Sequence, residues 1–148
     1  MDAKEFLSRA YLLELQVQTL LQQIEKLRAI ASHVSGGIHR DIVKHDRATT
    51  GMEDTVLKIM EEEAELNRKI DELVDAKREI RRVMDRVRSA VLRLILEKRF
   101  LLFQDWMTIA IDMDRTPRWV LSKNREALEI VQKLLDEKES QEGGKGTE

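Results

Sequence analysis

"DWMTIAIDMDRTPRWVLSKNREAL", Asp105 to Leu128, holds the only proline of the chain, both of its tryptophans and a short polar break between two segments of helical periodicity. Asp105 is suited to cap a short helix with Ile109, Ala110 and Met113 facing inward, and Asp114-Arg115-Thr116 interrupts it. Thr116 is then the N-cap of a second helix. Pro117 at its first position supplies the fixed φ of a helix start, has no amide proton to leave unpaired, and pushes Thr116 out of the α region. The second helix is expected to bury Val120, Leu128, Val131 and Leu135, with small Ala127 permitting close approach. Arg118, Trp119, Ser122 and Arg125 are left on or near its outer face. Two helices joined by a three-residue turn, the second opening with arginine-bearing turns, form the geometry that sets side chains on base edges in a DNA major groove.

Upstream the chain reads as long amphipathic helix. Phe6, Ala10, Leu13, Val17, Leu20, Ile24, Leu27, Ala31 and Val34 alternate spacings of four and three without a miss, which is a heptad seam. A second seam runs Met52, Val56, Ile59, Glu63, Leu66, Ile70, Leu73, Lys77, Ile80, Met84, Val87, Val91 and Leu94, polar only at Glu63 and Lys77. Neither stripe can be buried by its own helix, so each needs a partner, in an antiparallel hairpin or in a coil with other chains. The intervening "SHVSGGIHRDIVKHDRATTG" reads as a linker near 33–51, with Gly36 and Gly37 ending the first helix and Thr50 or Gly51 capping the second. From Val91 to Phe103 apolar residues cover more than one face, as expected of a helix enclosed by a compact domain. The expected organisation is all-α: a long antiparallel helical hairpin or coiled coil over 1–88, a C-terminal helix-turn-helix domain over 89–138, and a disordered polar tail over 139–148.

Composition narrows the function classes. Of 148 residues 36% are charged, 42% hydrophobic and 4% aromatic, so the core is aliphatic; six glycines and one proline are too few for the turns of an all-β chain. A net charge of −2 excludes a uniformly basic coat for nucleic acid, though not a local patch. With no cysteine there is no disulfide, thiolate metal site or cysteine nucleophile. No glycine-rich phosphate loop and no histidine beside a plausible nucleophile is present, so enzyme activity and a cofactor are not expected. His33, His39 and His45 recur every six residues, a spacing that suits no helical metal face. Acidic residues interrupt "MDAKEFLSRAYLLELQ", so no signal peptide or membrane span is expected, and the chain reads as cytoplasmic.

The segment "LEKRFLLFQDWMTIAIDMDRTPRWVLSKNREAL" resembles the sigma-70 region 4-like helix-turn-helix of phage and prophage transcriptional regulators of the ArpU type. Arg99, Phe100, Leu101, Trp106, Ile109, Ala110, Met113, Thr116, Arg118, Val120, Ala127 and Leu128 occupy positions of that pattern without a gap. "MDAKEFL" and "LNRKIDELVDAKREI" are similar to the start and the second long helix of the same proteins. Asp114 stands where the family has glycine, and Met107, Pro117, Leu121 and Lys123 also depart from it. The resemblance implies a regulator of phage or prophage genes in the cytoplasm of a bacterial host, with double-stranded DNA as partner.

Within that frame the expected DNA-binding residues are Arg115, Thr116, Arg118, Trp119, Ser122, Lys123 and Arg125, with Arg118 the candidate for a guanine edge. Trp106 is expected in the core. From Arg78 to Arg99 eight basic residues stand against three acidic ones, a stripe that suits either a phosphate backbone or an acidic partner helix carrying Glu5, Glu14 and Glu25. From Glu97 to Lys138 eight acidic residues balance eight basic ones. A neutral module binds DNA weakly alone, so tight binding calls for a homo-oligomer or RNA polymerase. The competing reading is a structural or adaptor coiled-coil protein, or a small DNA-packaging subunit, whose helix-turn-helix is a packing surface.

Overall fold

The computed structural model describes residues 1–37 and 45–145. Those residues are all-helical, with no strand among them: α1 (Ala3–Gly37), α2 (His45–Met84), α3 (Ala90–Leu96), α4 (Trp106–Asp112) and α5 (Pro117–Lys145), with a π-helical turn at Glu97–Leu101 between α3 and α4. No helix among them is long and apolar enough to cross a membrane.

The first heptad seam is the buried side of α1. Phe6, Ala10, Val17 and Ile24 are buried and Leu13, Leu20, Leu27 and Ala31 half-buried, while the Val34 side chain lies outside the described residues. The second seam holds in part. Leu73, Ile80, Met84 and Val87 are buried and Met52, Ile59 and Leu66 half-buried, but Val56, Ile70, Val91 and Leu94 are exposed. For the last two the cause is a break in the helix. After Met84 the chain closes two tight turns, Arg86 N–H to Val83 C=O at 3.1 Å and Val87 N–H to Met84 C=O at 2.9 Å. Ser89 then starts α3 by accepting the Leu92 N–H on its Oγ at 3.3 Å. Non-helical residues cannot carry a three-and-four repeat, so the phase resets and Leu92, Ile95 and Leu96 turn inward instead.

Other boundaries also differ from the sequence reading. α1 continues through Gly37 and α2 begins at His45, which places Thr50 and Gly51 inside a helix rather than at its cap. A glycine in a helix interior costs about 1 kcal/mol, a small charge against the 40 residues of α2. His39 and the rest of 38–44 lie outside the described residues. α5 runs on to Lys145, through a tail rich in Glu, Gln and Lys, all good helix formers.

Two compact units make up the chain: Met1–Leu12 together with Leu73–Glu148, and Leu13–Glu72. In the second unit Val17 and Ile24 are buried, and the seam residue Glu63 forms an ion pair with Arg28. The first unit has the thicker core, in which Leu7, Ile80, Met84, Val87, Ile95, Leu96, Ile109, Val120 and Val131 are almost wholly removed from solvent. Its N-terminal piece is tied down by Gln132 of α5. The Gln132 Oε1 accepts the Ala3 N–H at 2.8 Å, and its Nε2 donates to the Met1 carbonyl at 3.1 Å. One of the unpaired amides of the first turn of α1 is thereby satisfied from another helix. Arg9 pairs with Glu79 and lies over the Phe6 ring at 5.0 Å.

Burial therefore separates seam positions that the sequence treats alike. Ile80→Ala is expected to cost about 2–5 kcal/mol and Ile70→Ala under about 1 kcal/mol. Urea unfolding of the two variants checks this, and equal losses would contradict the assigned phase of α2.

Candidate nucleic-acid interface

The region Asp105–Leu128 is organised around one apolar knot. Ile95 of α3, Ile109 and Ala110 of α4 and Val120 of α5 are buried together, and Trp106, Met113 and Trp119 pack against them. Trp106 is thus a core-covering residue, half-buried, with the Arg99 guanidinium 4.4 Å from its ring centroid. Asp105 caps α4, its carboxylate accepting the Thr108 N–H at 2.7 Å. That hydrogen bond, more than the nearby Arg99 charge, holds the Asp105 carboxyl below its ordinary pKa.

α4 ends in a Schellman arrangement. Arg115 N–H bonds to the Ala110 carbonyl at 2.9 Å and Asp114 N–H to that of Ile111 at 3.2 Å, while Asp114 sits at φ 54°. This left-handed position normally takes glycine; aspartate tolerates it because its short polar side chain bonds locally. Thr116 caps α5, its Oγ1 accepting the Trp119 N–H at 3.2 Å, and Pro117 is the first helical residue.

The candidate residues divide into three groups. Arg118, Ser122 and Arg125 are exposed and, at spacings of four and three, share the face of α5 opposite Val120, Ala127 and Val131. Arg118 has no ion-pair partner among the described residues. Trp119 flanks that face, half-buried, between the Arg115 guanidinium at 4.9 Å and the Lys123 ammonium at 5.9 Å from its ring centroid. Lys123 is engaged with Glu126 at 3.1 Å, and Thr116 is committed to capping. Glu126 and Glu129 are exposed further along α5 and dilute the positive surface.

The basic stripe of Arg78–Arg99 is largely consumed within the fold. Arg78 faces Asp75 at 4.0 Å, Arg81 faces Glu97 at 3.8 Å, Arg86 faces Glu137 at 3.5 Å and Lys98 faces Asp112 at 3.1 Å. Arg93 and Arg99 donate to the Val87 and Gln104 carbonyls. Arg82 and Arg88 are exposed with no ion pair among the described residues. The acids that meet the stripe are not Glu5, Glu14 and Glu25, which make no ion pair with it among the described residues.

Sequence reasoning missed three features. Asn124 is buried on α5, 7% exposed, with its Oδ1 unpaired. Met107 and Ile111 form an outward apolar pair one turn apart on α4, 59% and 71% exposed. Gln132 holds the start of α1. The four-residue spacing of Met107 and Ile111 was readable; the other two depend on contacts between distant segments. Among the described residues no group of three His, Cys, Asp or Glu is placed to hold a metal.

Comparison with known protein families, with curated proteins and with solved structures gave no match to this chain.

Two local outcomes follow. Asp114→Gly should raise stability by about 0.5–1 kcal/mol, since glycine relieves the left-handed backbone; a loss in thermal melts would contradict the Schellman ending. The lowered pKa of Asp105 means that its stabilising contribution is present above the ordinary value of 3.8 and fades as pH falls through the folded value. Asp105→Asn keeps a capping oxygen without the charge, so its stability should fall less steeply than that of wild type on acidification below about pH 4.

Proposed function

We propose that this protein is a sequence-specific DNA-binding regulator of phage or prophage genes, acting in the cytoplasm of a bacterial host. In this reading α4, the turn and α5 serve as a helix-turn-helix, and the long helices form an antiparallel hairpin. The reading is carried by one observation: α5 starts at a capped, proline-fixed N-terminus clamped by Val120, with Arg118, Ser122 and Arg125 exposed on its outer face. Arg118, exposed and without an ion-pair partner in the first turn, is placed to present a bidentate donor pair to a guanine O6 and N7. Arg115 and Lys123, flanking Trp119, suit phosphates.

The charge balance of the C-terminal region makes a single copy a weak binder, so we place a second copy, or RNA polymerase, in the working complex. On α2 Val56, Leu57 and Met60 are exposed within two turns, an apolar strip that a second copy would cover.

A second reading, an adaptor whose C-terminal helices dock on protein, is favoured by Met107 and Ile111. So much exposed apolar surface on α4 is unsuited to lie along a phosphate backbone.

Selection of bound fragments from the source genome, then fluorescence anisotropy on selected and scrambled duplexes across a salt series, separates the two. Arg118→Ala should lose about 1–3 kcal/mol on the selected site with melting unchanged, whereas Lys123→Ala should weaken all duplexes alike and reduce the salt slope by about one. Trp106→Ala, by contrast, should lower the melting temperature. Absence of salt-dependent affinity for any duplex would sink the DNA reading. For self-association, Leu57→Glu with Met60→Glu should convert sedimenting oligomers to monomer at micromolar concentration.

A further inference from the structure

A cavity of about 490 Å³ lies where α1, the π-helical turn and α5 meet, beside the face of α5 that carries Arg118. Its volume is in the range of small-molecule sites. The walls combine two chemistries, aromatic rings and cations. Tyr11, Phe100, Phe103 and Trp106 supply aromatic rings, in a chain with only six aromatic residues. Lys4, Arg99 and Arg125 supply cations against a single acid, Asp105, whose carboxylate is already occupied by the Thr108 amide.

The third component is a buried polar group with nothing to bind. Asn124 lines the cavity, is more than nine-tenths buried, and its Oδ1 has no hydrogen-bond partner. Leaving such a group unpaired destabilises a fold, which makes an unmatched amide at a cavity wall a marker for a ligand that pairs it. The backbone at the rim is equally unusual. The π-helical turn carries Arg99 and Phe100 to the wall, and Phe103 just beyond it is held at φ 58°, a conformation rare for a bulky residue, with its ring 5.5 Å from that of Tyr11. The Lys77 ammonium lies 4.9 Å from the centroid of that Phe103 ring.

We propose that this cavity binds a small planar aromatic anion bearing an N–H or O–H donor. The rings take its plane, Lys4 and Arg125 its charge, and the Asn124 Oδ1 its donor. The site shares Arg125 with the outer face of α5 but not Arg118 or Ser122, and it stands whether or not that face binds DNA. Such a ligand, bridging α1 and α5, would stabilise the unit formed by Met1–Leu12 with Leu73–Glu148.

The chemistry is shared by aromatic carboxylates and by nucleoside monophosphates, so two probes are titrated into the full chain, indole-3-carboxylate and guanosine 5′-monophosphate. The readout is two-dimensional amide and indole NMR, in which Trp106 and Trp119 report on the cavity and on the outer face respectively. Saturable shifts are expected at the Trp106 indole and the Asn124 side-chain amide with a Kd of roughly 0.05–1 mM for at least one probe, the Trp119 indole remaining unmoved. Asn124→Leu should remove the unpaired amide and so raise the melting temperature by a few degrees, about 2–6 °C, while weakening the bound probe at least about threefold. Arg118→Ala should leave the affinity unchanged. No shift with either probe up to about 5 mM, shifts confined to Trp119, or full affinity in Asn124→Leu would each overturn the proposal.

Discussion

The arrangement of α4 and α5 rests on the contact of Ile95 with Ile109, Ala110 and Val120. Small Ala110 lets α5 approach α4 closely, and burial of the three larger aliphatic side chains removes apolar area worth several kcal/mol from water. Everything polar around the knot then has a defined task. Asp105 and Thr116 satisfy the two helix starts, and Asp114 accepts a left-handed backbone so that the end of α4 can fold under them. With Val120 fixed inward, helical spacing alone sends Arg118, Ser122 and Arg125 outward.

The same unit shows how a charged chain with few aromatics holds a compact core. Its basic stripe is met by acids on neighbouring turns and on α5, and two of its arginines donate to the carbonyls of Val87 and Gln104 in the connections between helices. Exposed pairs of this kind contribute little to stability individually, under about 1 kcal/mol each. Their larger effect is on function: four of the eight basic residues of the stripe are paired with acids in place, so that much of its charge is not free for a polyanion, which in our proposal approaches α5 and its flanking turn.

Sequence legibility followed the range of the interactions. The caps Asp105, Ser89 and Thr116 are local devices, and the two proposed in the sequence appear with the hydrogen bonds expected of them. The four-and-three spacing of α1 is likewise local and predicts its buried side correctly. The α2 seam was less legible, because burial at Val56 or Ile70 depends on whether another element covers them, and because the pattern runs across Asp85–Ser89 as though the helix did. Periodicity reports which residues lie on one face; it is silent about a break that preserves the count.

The amino-acid sequence by itself determined the helical class, the position of the short α4, the start of α5 at Thr116-Pro117 and the outward placement of Arg118, Ser122 and Arg125, since each follows from spacing and from capping chemistry within one turn. Only the tertiary structure decided that Gln132 anchors the start of α1, that the basic stripe is internally paired, and that Asn124 faces a cavity with its oxygen unmatched. Apart from the neighbouring pair Asp75 and Arg78, these join residues a dozen or more positions apart in the chain, and which distant groups meet is set by how helices pack, a quantity that no local spacing encodes.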